Sequence, residues 1–101
     1  MAKLEPIDKI SSDYVSAVRA NWNGDLAFSA TALSALQANE WDQIDVLEVV
    51  EDGSAINVKK DRPHVTEIEL THTCIAGYTL RVTLAYDPHL PYLLVEEVSP
   101  V

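Results

Sequence analysis

The stretch Tyr78-Thr79-Leu80-Arg81-Val82-Thr83-Leu84-Ala85-Tyr86 decides the fold. Tyr78, Leu80, Val82, Leu84 and Tyr86 share one face, and Thr79, Arg81, Thr83 and Ala85 share the other. That period of two is what a β-strand with one buried and one wet face requires. Working backward, Ala76-Gly77 suits a tight hairpin turn, and before it Ile68, Leu70, His72 and Cys74 alternate with Glu67, Glu69, Thr71 and Thr73. Further back, Ile56, Val58 and Lys60 alternate with Ala55, Asn57 and Lys59, ahead of a break at Asp61-Arg62-Pro63. Working forward, Asp87-Pro88-His89-Leu90-Pro91 is a stiff loop, since two prolines bar regular structure. Tyr92 to Val98 closes as a final strand. The second half of the chain therefore reads as an antiparallel meander.

Ahead of Asp52-Gly53, a turn signal, apolar residues recur at helical spacing instead. Ser12 to Trp22 reads as a helix that Ser11 or Ser12 can cap, with Tyr14, Val15 and Val18 on one face and Asn23-Gly24 as its stop. Leu26-Ala27-Phe28 is short and apolar, enough for a brief strand. Ser29 is placed to cap a second helix, Ala30 to Ala38, with Leu33 and Leu36 on its buried side and Asn39 as its breaker. A third helix spans Trp41 to Glu51. Val46, Leu47 and Val50 form its apolar arc, Ile44 and Val49 lie at the margins, and Asp45, Glu48 and Asp52 share the opposite face. The predicted fold class is α+β: two to three helices followed by and packed on a four-stranded antiparallel sheet, as a single domain over residues 1–101.

Charge is the strongest whole-chain property. The 101 residues hold 16 acids against seven bases, a net charge of −9. Such a surface repels phosphate backbones and anionic lipid, which argues against direct nucleic-acid or membrane binding. Acidity also serves solubility. The imbalance is concentrated, however: residues 1–54 carry ten acids against three bases, and residues 55–101 six against four. A lone cysteine, Cys74, admits no internal disulfide. The start, Met1-Ala2-Lys3-Leu4-Glu5-Pro6, has no apolar core of signal-peptide length, so the expected location is cytoplasmic.

Three groups of residues could carry chemistry. His64, His72 and His89 stand at no metal-ligand spacing, and His72 with Cys74 supplies only two ligands, so neither metal nor cofactor is expected. Lys59, Lys60, Arg62 and His64 form a basic cluster that Arg81 could join from a neighbouring strand, a set able to hold a phosphate. A solvated strand end protected by lysines explains the same cluster. The helix over residues 40–52 is the opposite feature, with six acids and no base. Asp42, Asp45, Glu48, Glu51 and Asp52 there, with Trp41 as an aromatic anchor, could cover a cationic surface of a partner protein.

Two short motifs add a resemblance. Phe28-Ser29-Ala30-Thr31-Ala32 and Leu80-Arg81-Val82, with the order strand–helix–helix–strands from Leu26 onward, resemble the compact RelE/BrnT-like ribonuclease-toxin superfamily over about three quarters of the chain. In that family a first strand ends in a Ser-x-His-Ala helix start, and a later strand carries an arginine in a Leu-Arg-Val context. Here Thr31 stands in the histidine's place and no arginine follows in Ala32–Ala38, so Arg81 is the residue the resemblance carries over. It implies an endoribonuclease toxin using Lys59, Lys60, Arg62, His64 and Arg81. The acidic balance favours a different function: a small protein-binding module, of inhibitor, immunity or phage-antagonist type, without catalytic residues. A homo-oligomer paired through sheet edges is a third reading.

Overall fold

The computed structural model describes residues 9–101; the reading of the first six residues as lacking a targeting signal lies outside that range. Three helices, α1 (Lys9–Asn21), α2 (Ala30–Asn39) and α3 (Gln43–Asp52), cover one face of a single sheet. The sheet comprises β1 (Leu26–Phe28), β2 (Ser54–Arg62), β3 (Val65–Thr73), β4 (Thr79–Tyr86) and β5 (Leu93–Pro100), in the order β1-β5-β4-β3-β2. The α+β class is as expected, but the sheet is five-stranded and mixed rather than four-stranded and antiparallel. The extra strand is the Leu26–Phe28 segment, which pairs in parallel with β5 through Leu26↔Leu93 and Phe28↔Val95. Backbone bonds from Leu93 N to the Asp25 carbonyl (3.1 Å) and from Ser29 N to the Val95 carbonyl (2.9 Å) close that pair at each end. Three residues are too few to display a period, and their partner lies at the other end of the chain.

The meander keeps its predicted faces where alternation is strict. On β3 and β4, Ile68↔Leu84 and Leu70↔Val82 point into the core, while Glu69↔Thr83 and Thr71↔Arg81 point away. Elsewhere bulges re-aim the side chains. Ala55 and Asn57 pair with successive residues Leu70 and Glu69, leaving Ile56 as an extra residue. Ile56 is thereby turned outward, 46% exposed, and Ala55 joins Val58 against the core. The expected break at Asp61 is a second bulge, and β2 runs on to Arg62 before turning at Pro63-His64. A third bulge at Glu96 lets Val95 and Val98, three apart, both face inward.

The helices differ from expectation mainly at their ends. Helix α1 is already helical at Lys9, so Ser11 and Ser12 lie inside it rather than at its start. Ser29 caps α2 as predicted, its Oγ accepting from Ala32 N at 3.0 Å. The left-handed residue that ends α2 is Glu40 (φ 55°), not Asn39. Leu33 is 41% exposed, because Ala32 and Leu36, four apart, take the inward face. On α3 the buried arc is Val46, Val49 and Val50; Leu47 is half-buried and Ile44 is 70% exposed. These valines meet Val15 and Val18 of α1, Leu36 of α2 and the inner face of the sheet in one core. No described buried side-chain nitrogen or oxygen lacks a hydrogen-bond partner. No helix among the described residues is long and apolar enough to cross a membrane.

Candidate functional site

Chemistry gathers at the corner where the first turn of α3 meets the β3–β4 hairpin. Asp42 caps α3 by accepting from Ile44 N at 3.1 Å, and Asp45 reaches back to accept from Asp42 N at 3.1 Å. This reciprocal capping box satisfies amide donors that the helix start leaves open, and carboxylates suit the positive end of the helix dipole. It also fixes Asp45 on the side of α3 that faces the hairpin. There Tyr78 donates its phenolic hydrogen to Asp45 Oδ2. One turn on, Glu48 Oε2 accepts from His72 Nε2 at 2.7 Å and from Ile75 N at 3.1 Å. Cys74 is buried, 3% exposed, and its thiol lies 3.7 Å from the Asp45 carbonyl oxygen. Trp41 stacks at a tilt against Tyr78, with ring centroids 6.0 Å apart.

The electrostatics follow from that company. The bond to Asp45 pushes the Tyr78 phenol up to about 12, with burial adding to it. Burial, then the charges of Glu48 and Asp45, push the Cys74 thiol up. Each change resists placing a further negative charge beside two carboxylates.

Asp45 and Glu48 therefore do not project into solvent with Asp52, as the helical wheel suggested; both are half-buried and bound to the hairpin. Glu51 and Asp52 are exposed at the far end of α3. That end is closed by Arg19 of α1, whose guanidinium donates to the Val50 carbonyl at 2.8 Å and the Gly53 carbonyl at 2.5 Å. Burial lowers the Arg19 pKa, while Asp52 acts against that shift. Sequence reasoning gave Arg19 no role, because its acceptors lie 31 and 34 residues away.

On its other side, α3 borders an open groove shared with α2. Leu36 and Trp41 line it with Leu33 and Ile44, both exposed, and Glu40 and Asp42 carry its charge. Residues 30–52, which make up both helices and their connection, contain six acids and neither lysine nor arginine. The sequence marked Trp41 and Asp42, but Leu33 and Ile44 were read as buried or marginal and so were missed.

The basic residues do not converge. Arg81 sits opposite Thr71 on β3 and 3.8 Å from Glu69, on the sheet face without helices. Lys60 is opposite Thr66 and His64 lies in the following turn, so they are at the far end of the sheet from Arg81. At about 3.4 Å per residue, the five-residue offset between the Thr66 and Thr71 rows is roughly 17 Å. Lys59 pairs with Glu67 at 3.5 Å and Arg62 with Asp61 at 3.2 Å. The neighbour His64 does acquire is His89, with ring centroids 5.1 Å apart. Comparison with protein-family models, curated proteins and solved structures finds no match to this chain.

Proposed function

We propose that the protein is a small acidic protein-binding module, of inhibitor, immunity or antagonist type. Its α2–α3 surface receives apolar side chains flanked by lysine or arginine on a partner. The observation that carries this reading is the pairing of exposed apolar residues with uncompensated acid. Leu33 and Ile44 stand 41% and 70% exposed beside Trp41, and the charges lining the same groove are Glu40 and Asp42. An apolar centre with a charged rim is the usual build of a protein interface, and the acids add steering toward a basic partner. Glu51 extends the negative rim along α3, seven residues and two turns beyond Ile44.

The test begins with capture of the partner from the native host at low and moderate salt, followed by affinity measurement by calorimetry. Ile44→Ser is expected to weaken binding at least tenfold, as loss of a central apolar contact does. Glu40→Lys with Glu51→Lys is expected to weaken it further and to reduce its salt dependence. Both variants leave the Asp42 cap and the hairpin contacts intact. Wild-type affinity in Ile44→Ser together with an unchanged salt response in the charge-reversed pair would dismiss the reading.

A further inference from the structure

At the α3–hairpin corner, Asp45 and Glu48 sit three residues apart, on one side of a helix, and Cys74 faces them from the end of β3. A carboxylate oxygen from each acid and the Cys74 sulfur all lie within 4.8 Å of one another. Among the described residues, this is the one group of three or more such side chains close enough to share an ion. It is unlike a surface patch of acids in two respects. The sulfur is buried and the two carboxylates are half-buried, and the donors are of two chemical kinds. A third kind stands behind them, because His72 Nε2 holds Glu48 Oε2 at 2.7 Å.

We propose that Asp45, Glu48 and Cys74 form a binding site for one divalent transition-metal ion of the zinc class. Thiolate sulfur selects against calcium and magnesium, which take oxygen alone, while mixed sulfur, oxygen and nitrogen surroundings suit zinc and cobalt. Ligand bonds of about 2.0–2.3 Å in a tetrahedron place neighbouring donors roughly 3.5 Å apart. The present spacing therefore closes with side-chain adjustments of about 1 Å. The supports are already built. Tyr78 and the Asp42 amide hold Oδ2 of Asp45, and neither bond engages its Oδ1. His72 and the Ile75 amide orient Glu48, the arrangement by which outer groups position metal ligands. On binding, the sulfur–hydrogen bond of Cys74 breaks, the proton leaves to solvent, and the sulfur–metal bond forms. Metal and thiolate charges then offset one another beside the two carboxylates. This site is distinct from the α2–α3 groove, and neither proposal depends on the other.

Cobalt(II) is the probe. The purified chain, stripped of metal with a chelator, is titrated with cobalt chloride and followed in the near ultraviolet for the thiolate-to-cobalt charge-transfer band. The expected result is a band that saturates at one equivalent, is bleached by added zinc, and is absent in Cys74→Ala. Glu48→Gln and Asp45→Asn, which preserve shape, are each expected to raise the dissociation constant at least tenfold. Circular dichroism of each variant shows that it is folded. A wild-type titration without the band at excess cobalt overturns the proposal, as does a band that persists in folded Cys74→Ala.

Discussion

Arg19 shows how much one side chain can hold. Its two bonds reach carbonyls that the end of α3 leaves without helical partners, and its positive charge sits at the negative end of that helix dipole. Hydrogen bonds from charged groups are each worth about 1.5–3 kcal/mol. Solvent reaches this half-buried guanidinium and discounts the sum of the two, so Arg19→Ala is expected to lower the unfolding free energy by about 2–4 kcal/mol in urea denaturation. Arg19→Lys should recover only part, because one ammonium does not reproduce the planar fork. Tyr78 gives a second prediction at this scale. Its folded pKa of about 12 lies above the unfolded value of about 10, so the stability it contributes is fully present below pH 10. That contribution is lost as pH rises through 12. A spectrophotometric titration should show a tyrosine ionising near pH 12, a step that Tyr78→Phe removes.

At the scale of elements, the passage from α3 into β2 leaves no room for a side chain. Gly53 does not have positive φ; it is required by contact. A Cβ there would lie 2.4 Å from the Val49 carbonyl oxygen and 3.1 Å from that of Thr71. Both neighbours are backbone, which yields only if the helix end or β3 moves. Gly53→Ala is expected to cost about 1–3 kcal/mol, the range for forcing extra atoms into a packed site. Chemical denaturation checks this, and a variant within about 0.5 kcal/mol of the parent would show that the helix end shifts freely. The sequence marked Gly53 as part of a turn, because Asp-Gly pairs usually are; the close approach that demands it depends on β3. The capping box was only half legible. Asp42 stood out as an acid at a helix start, but its reciprocal bond with Asp45 removed Asp45 from the exposed set to which the helical wheel had assigned it.

For the molecule as a whole, the question is which surfaces remain open to partners. One is the outer edge of β2, where Lys59, Lys60 and Arg62 stand on a strand interrupted by two bulges. Charge and irregularity of this kind oppose pairing with another sheet, and the opposite edge, β1, offers only three residues. The isolated chain is expected to be a monomer of 11.2 kDa, checked by light scattering across a concentration series. A dimer that Lys60→Thr strengthens would instead identify β2 as a self-association edge. The helix-free face of the sheet is screened differently, with Lys59 and Arg81 each beside a glutamate of β3. Among the described residues, Glu40 and Asp42, at the junction of α2 and α3, have no such cation paired with them.

The sequence by itself determined the features that local pattern controls: the α+β class, the three helices, the Ser29 cap and the strict alternation of Tyr78 to Tyr86. Each rests on spacing between residues a few positions apart, which the backbone period converts directly into a face or an end. The parallel pairing that brings the Leu26–Phe28 strand into the sheet, the outward turn of Ile56, the joint inward turn of Val95 and Val98 and the bonds of Arg19 came only with the tertiary structure. All depend on a partner strand or helix distant in sequence. The candidate site divides in the same way. His72 and Cys74 could be placed on one strand from their spacing, but the two carboxylates that meet them come from α3, about 24–29 residues earlier. Only the packing of that helix against the hairpin brings the four together.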